Sequence, residues 1–255
     1  MIKLKRPQRP IELTEEKQRE FTVAFCKSKL TKDAWNTKYI RTAIFESSHH
    51  KCCYCEKRIG PGYADMHIDH FKPKSKYPGE VAEWNNLMPA CPDCNRAKGD
   101  LDTVENPIVN PYLDDPKDHF YLKDCRYKAK DRSLASKGNT SLDALDLNDL
   151  SKKCLPRYQV VSELLHQLNQ LNVLAKEKKA VLSSSRTDCN RIISILRNLL
   201  NLCISSAEYA AFTATALQTD EDYIEIKEVL VSVGRWTTEL EELDLQSKQC
   251  SYSYL

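Results

Sequence analysis

Two cysteine pairs dominate the chemistry written into this chain: Cys52-x2-Cys55 and Cys91-x2-Cys94. In each pair the two sulfurs can be turned by one tight bend toward a single tetrahedral ion, and four thiolates together close a structural zinc site. Thirty-five residues, 56–90, lie between the pairs, more than a simple zinc ribbon uses. The chain has eleven cysteines, an odd number. Its start, MIKLKRPQRPIEL, has positive charge without the apolar run of a secretory signal. A reducing, cytoplasmic setting is therefore expected, where metal binding outranks disulfides. Cys53 lies between two ligands and is expected to point away. Cys26, Cys125, Cys154, Cys189, Cys203 and Cys250 read as ordinary reduced thiols.

Between and just after the knuckles stand Asp69-His70-Phe71-Lys72-Pro73, Trp84-Asn85-Asn86-Leu87, Asn95 directly after Cys94, and Lys98. Hydrolysis of a phosphodiester needs a base to take a proton from water and a cation to stabilise the pentavalent phosphate and the leaving oxygen. Histidine suits the first task near neutral pH. Asp69 and Asn95 offer hard oxygen ligands for Mg2+ or a similar ion such as Mn2+ or Ni2+. His67, two residues before Asp69, shares its face if the segment is a strand and is a minor candidate for the metal. By composition Asn85 and Asn86 are equal candidates for a loop-fixing role, and only Leu87 favours Asn86. Lys72, Lys74 and Lys76 read either as a solvated run or as phosphate contacts. His49 and His50 read as surface residues, and Asp114 and Asp115 as part of a proline turn.

At these positions the chain resembles the HNH, or ββα-metal, endonucleases, through Ile68-Asp69-His70-Phe71-Lys72-Pro73, Asn86-Leu87 and Cys91-Pro-Asp-Cys94-Asn95-Arg-Ala-Lys98. The resemblance implies that Asp-His ends the first strand, the middle Asn lies in the connecting loop and the last ligand opens the helix. It implies His70 as general base, Asp69 and Asn95 as ligands of the catalytic metal, and Asn86 as the residue fixing loop and base. Lys98, with Lys72 and Lys74, would meet substrate phosphate. Asn95 stands where many members carry His, a departure that still offers an amide oxygen but weakens the expected affinity. A zinc module that grips nucleic acid or protein without cutting is the competing reading, and Asp69-His70 with Asn95 favours the enzyme.

The elements that must position these groups are mostly helical. Gly is scarce, 6 of 255 residues, which argues against a turn-rich all-β fold. Residues 14–48 read as helical with a break, Glu15 and Glu16 suiting a first turn. Residues 49–100 hold no helical period, residues 101–140 read as irregular, and the proline-rich stretch 106–120 within them resists helix and central strand. From Pro156 onward the pattern is helical: Tyr158, Val161, Leu164, Leu165, Leu168, Leu171 and Leu174 make one stripe, and Ile192, Ile193, Leu196, Leu199, Leu200 and Cys203 a second. An alanine-rich helix over 207–217, capped by Ser206, and a last acidic helix capped by Asp220 follow. The expected fold is mostly α with a small α+β insert, a zinc-stapled ββα-metal module followed by a helical bundle. Its expected parts are residues 1–48, a basic arm and N-terminal helices; 49–150, the zinc-stabilised nuclease domain with its proline-rich extension; and 151–255, a helical domain for partner docking.

A formal charge of +2 averages unlike parts. The first ten residues carry Lys3, Lys5, Arg6 and Arg9 without an acid, 117–137 holds seven Lys or Arg against three Asp, and 219–246 holds nine acids against two bases. Charge thus leaves nucleic acid open as a partner, and no apolar run reaches a membrane span. The basic start, the nuclease core, Asn110–Pro116, Gly138–Asn148 and the helical end together resemble the PtuB family of Septu anti-phage systems, also found beside some retrons. That resemblance implies a bacterial cytoplasmic defence effector with a PtuA-type ATPase partner, and DNA as substrate ahead of structured RNA such as tRNA.

Overall fold

Residues 1–28, 35–178, 182 and 185–253 are described in the computed structural model. Contacts divide the chain into two units, Met1–Phe120 with Tyr127–Asp149, and Tyr121–Arg126 with Leu150–Leu255. As expected, the chain is mostly helical, with small antiparallel sheets, a four-cysteine cluster formed by the two knuckles and helices after it. Among the described residues no helix is long and apolar enough to cross a membrane.

In the first unit, Thr14 caps helix α1 (Glu15–Lys27) by accepting from the Lys17 N–H, with Glu15 and Glu16 at the positive end of the helix dipole. Helix α2 (Lys38–Ser47) buries Ile40 and Ile44. The break expected between these helices falls partly on residues 29–34, outside the described residues. Phe25, Ile40 and Ile44 share one core with Leu13, Trp35, Val81, Ala82, Trp84 and Leu87. Strands β1 (His67–His70) and β2 (Leu87–Ala90) pair antiparallel, His67 opposite Ala90 and Asp69 opposite Met88, and helix α3 (Pro92–Lys98) packs on β1. This is the strand-strand-helix arrangement that the motif implied.

The N-terminal arm is extended, as its prolines require, but its charge is turned inward. Lys3 donates to the carbonyls of Tyr112, Leu113 and Asp114. Arg6 donates to those of Leu87 and Asn85 and lies 3.7 Å over the Tyr112 ring. Arg6 therefore braces the approach to β2, and Lys3 ties the arm to the 112–114 segment.

The stretch read as irregular contains more structure than its prolines suggested. After turns over 101–115 come helix α4 (Pro116–His119), strands β3 (Phe120–Lys123) and β4 (Arg126–Ala129), and helix α5 (Lys137–Ala144). The β3–β4 turn is Asp124-Cys125, both with positive φ (50° and 57°), which is the type I′ geometry whose twist matches a hairpin.

The second unit contains helices α6 (Leu155–Lys178), α7 (Arg186–Asn201), α8 (Ala210–Thr219), α9 (Glu221–Ser232) and α10 (Thr238–Cys250). The α7 stripe is buried throughout; on α6, Leu164, Leu168 and Leu171 are buried while Tyr158 is exposed. The alanine-rich helix begins at Ala210, not 207, because Tyr209 adopts a left-handed conformation that a helix cannot continue through. The acidic segment is two helices. Gly234, with φ 66°, ends the first, and the Thr237 side chain caps the second at the Leu240 N–H.

Four of the nine acids of that segment hold the helices together. Asp222 and Glu225 accept from Asn172, Glu225 pairs with Lys176, and Glu239 pairs with Arg197. The fully buried Asp244 carboxylate accepts from Gln218, Tyr223, Lys227 and Lys248 at 2.6–2.8 Å. Burial opposes its charge, but these four donors outweigh burial and hold its pKa well below the ordinary carboxylate range. A lowered folded-state pKa gives stability that is present at neutral pH and begins to fall as pH drops below about 4, the unfolded value. Asp244→Asn is expected to cost about 2–3 kcal/mol at pH 7, with the gap to the parent narrowing below pH ~4. Chemical denaturation across that range measures it, and a pH-independent gap would exclude this role.

Candidate active site

The four ligand sulfurs of Cys52, Cys55, Cys91 and Cys94 lie within 4.8 Å of one another and all four residues are buried. Cys55 and Cys91 are 3.7 Å apart, matching the edge of roughly 3.8 Å for a tetrahedron with Zn–S bonds of ~2.3 Å. The Cys55 thiol is held well below its ordinary range by hydrogen bonds from Cys52, Cys91 and Cys94, while burial pushes Cys52 well up. Four buried thiolates side by side repel one another, and a dication at their centre removes that cost. The donor set fits a structural zinc ion.

Both knuckles are tied to the strands. The first runs into Glu56, with φ 65°, and the Cys53 N–H donates to Pro89 of β2 at 2.9 Å. The Glu56 carboxylate is itself buried against the Met1 ammonium, with Lys51 at 3.6 Å and the Tyr127 hydroxyl at 3.3 Å. In the second knuckle Cys91 caps α3, its sulfur accepting from the Cys94 N–H, and Pro92 takes the first helical position. An ion held by the four sulfurs would fix the start of α3 relative to β2, and through β2 relative to β1.

On this frame the pleat of β1 separates adjacent motif residues. Asp69 faces α3: its Oδ1 accepts from Lys98 at 2.9 Å and its Oδ2 from Tyr54 at 2.6 Å. Burial raises its pKa, and Lys98 and Tyr54 oppose that rise. His67 shares the face, its Nδ1 lying 3.1 Å from the Asn95 side-chain amide. His70 turns toward the core, edge-on to Trp35 at 4.8 Å, with Nε2 2.9 Å from the Val81 carbonyl. A carbonyl partner requires the proton on Nε2 and leaves Nδ1 with the lone pair. Burial pushes this imidazole down to about 4, so it is neutral at pH 7.

Asn86 lies in a short turn, Trp84–Asn86, before β2. Its Oδ1 accepts from the Lys72 N–H at 2.7 Å, and its Nδ2 donates to the carbonyls of Lys72 and Glu80. Asn85 is exposed and its carbonyl accepts from Arg6. Of the two asparagines, Asn86 is the one that clasps the loop after His70. Replacing it with Ala removes three hydrogen bonds and should cost about 2–3 kcal/mol, read as a fall in unfolding midpoint; an unchanged midpoint would show the clasp to be dispensable.

Of the three lysines expected to meet phosphate, Lys98 differs from expectation. Lys98, expected on the outer helix face against phosphate, is buried, and its Nζ also donates to the His70 carbonyl at 2.6 Å. A lysine one turn beyond Asn95 falls on the side of α3 that packs on β1. Lys72 pairs with Glu80 at 2.8 Å, and the exposed Lys74 lies 5.4 Å over Trp35. Tyr54, Trp35 and the Val81 carbonyl were not anticipated. Only Tyr54, inside the first knuckle, had a positional signal.

Residues 52–101 match the family model for HNH endonucleases. Over 243 residues the chain is 33% identical to "Septu protein PtuB" of Bacillus thuringiensis, covering 95% of this chain and 92% of that protein. The chain belongs to the PtuB family. A second PtuB, from Bacillus mycoides (strain KBAB4), is 24% identical over 287 residues, 93% of this chain and 96% of that one. "Protein ea31" of Escherichia phage lambda is 36% identical over 84 residues, 32% of this chain and 26% of its own. Membership of the PtuB family and the HNH domain make the chain a nuclease.

Proposed function

We propose that this PtuB-family chain hydrolyses phosphodiester bonds in a metal-dependent reaction at the C-terminal end of β1, as the effector of a Septu-type anti-phage complex. The observation that carries the proposal is the 2.9 Å contact of His70 Nε2 with the Val81 carbonyl. With its Nε2 proton on the Val81 carbonyl, Nδ1 is a neutral base held in one orientation by Trp35 and by the Asn86-clasped loop. Asp69 and Asn95 are the residues that would hold the catalytic ion, Mg2+ or else Mn2+ or Ni2+. Each Asp69 oxygen has a lone pair left after its present hydrogen bond, so the donor set fits a divalent cation. When bound, such an ion supplies charge neutralisation at the phosphate and at the leaving oxygen. Lys98 holds the Asp69 carboxylate and the His70 main chain, and Lys72 and Lys74 flank the loop that substrate phosphate would approach.

DNA is the favoured substrate, with structured RNA such as tRNA as the alternative, and a PtuA-type ATPase is the expected partner. Cytoplasmic action follows from the same family reading. Incubation of the zinc-loaded chain with plasmid, single-stranded DNA and tRNA under Mg2+, Mn2+ or Ni2+, with and without that ATPase, tests the proposal. The expected result is metal-dependent cleavage, DNA ahead of RNA. Binding without cleavage under every ion and with the partner would overturn it.

A further inference from the structure

The exposed histidine at the start of β1 is not used by the mechanism above. Its place in the strand makes it more than a surface residue. His67 and Asp69 occupy alternate positions on β1 and so share the face against α3, while Ile68 and His70 turn to the core. A His-x-Asp pair on a strand presents two ligand side chains side by side. The third group on this face, Asn95, already touches the first: His67 Nδ1 and the Asn95 amide nitrogen are 3.1 Å apart. A half-turn of that amide about its last bond exchanges nitrogen for oxygen and leaves the spacing. Adjacent ligands of an octahedral ion with bonds of ~2.1 Å are about 3 Å apart.

Resting on the reading of Asp69 and Asn95 as ligands, we propose that His67 is a third protein ligand of the same divalent ion, and that it biases the site toward Mn2+ and Ni2+ over Mg2+. The donor set supports the bias. Mg2+ relies on charged oxygens, and here it finds one carboxylate, with the Lys98 ammonium 2.9 Å from it. An imidazole nitrogen adds no charge and favours ions later in the first transition row. His67 is also the member of the trio most open to solvent, so it can move onto an ion without uncovering the core.

Pulsed electron paramagnetic resonance of Mn2+ added to the zinc-loaded full chain reads the bond directly, because a ligating imidazole imprints a 14N coupling on the Mn2+ signal. The coupling is expected in the parent and absent in His67→Ala. By calorimetry that variant should bind Mn2+ and Ni2+ at least ~10-fold more weakly while Mg2+ binding changes much less. His67→Gln, which keeps a polar side chain at an exposed position, should behave like the Ala variant and melt like the parent. A parent signal without 14N coupling, or a coupling that survives in His67→Ala, would overturn the proposal while leaving Asp69 and Asn95 as ligands. Unchanged Mn2+ binding in Asp69→Ala would overturn both readings together.

Discussion

Cys91→Ser is expected to strip zinc from the chain and unfold the nuclease unit. Serine is a good helix cap, so the acceptor for the Cys94 N–H at the start of α3 is retained, and what disappears is one thiolate of four. Three buried thiols do not make a closed tetrahedral site. In small zinc modules the ion contributes ~10–16 kcal/mol of folding energy, more than most domains hold in reserve, about 5–15 kcal/mol in all. The segment most affected is 49–66, where the first knuckle and the turns after it have little regular structure. β1 and α3 then lose the reference that fixes them relative to each other.

The measurements are zinc content and a melting curve on the full chain. The parent should carry about one zinc per chain and the variant little. Far-UV circular dichroism should retain part of its helical signal, because α6–α10 bury their own core and contain none of the four ligands. Unfolding would then proceed in two steps. A Cys91→Ser protein with the parent's zinc content and a single unchanged transition would show that the cluster is not a structural metal site.

Metal spacing was legible because it is local: each pair of sulfurs is set by one turn, and only two such pairs occur. The Asp-His strand and the Asn-bearing helix were legible through the same motif. What the chain hides is which way neighbouring side chains point. The pleat that sends Asp69 to Tyr54 and Lys98 and sends His70 to Trp35 and Val81 depends on which face of β1 meets the core. That choice is made by Val81, Leu87, Ile44 and other residues distant in sequence. The burial of Lys98, expected to meet phosphate, was hidden for the same reason.

The β3–β4 hairpin was missed because its turn is Asp-Cys, with none of the glycine that usually supplies positive φ. The acidic tail looked like one helix and is two; Gly234 was the signal. Its charge suggested a docking surface, yet Asp222, Glu225, Glu239 and Asp244 are engaged by Asn172, Lys176, Arg197, Lys227 and Lys248 within the bundle. Composition counts charges but does not show which are already paired.

His70→Gln should abolish cleavage while leaving zinc and fold in place. Glutamine can donate its side-chain amide to the Val81 carbonyl in place of Nε2, and it has no nitrogen that accepts a proton at neutral pH. The base is removed and the packing against Trp35 largely retained, so stability should shift by about 1 kcal/mol or less. Loss of a positioned base costs ~10²–10⁴ in rate, and His70→Ala should lose as much with a larger fall in melting temperature from the cavity beside Trp35. Both variants are to be compared with the parent under the ion and substrate that give cleavage, with zinc content and binding to uncleaved nucleic acid measured alongside. Loss of rate with binding intact places His70 in the chemical step, since an imidazole that only supported the fold would spare the Gln variant. Full activity in His70→Gln would instead show that the proton goes elsewhere. The next group to test would then be His67, an exposed histidine on the Asp69 face of the same strand.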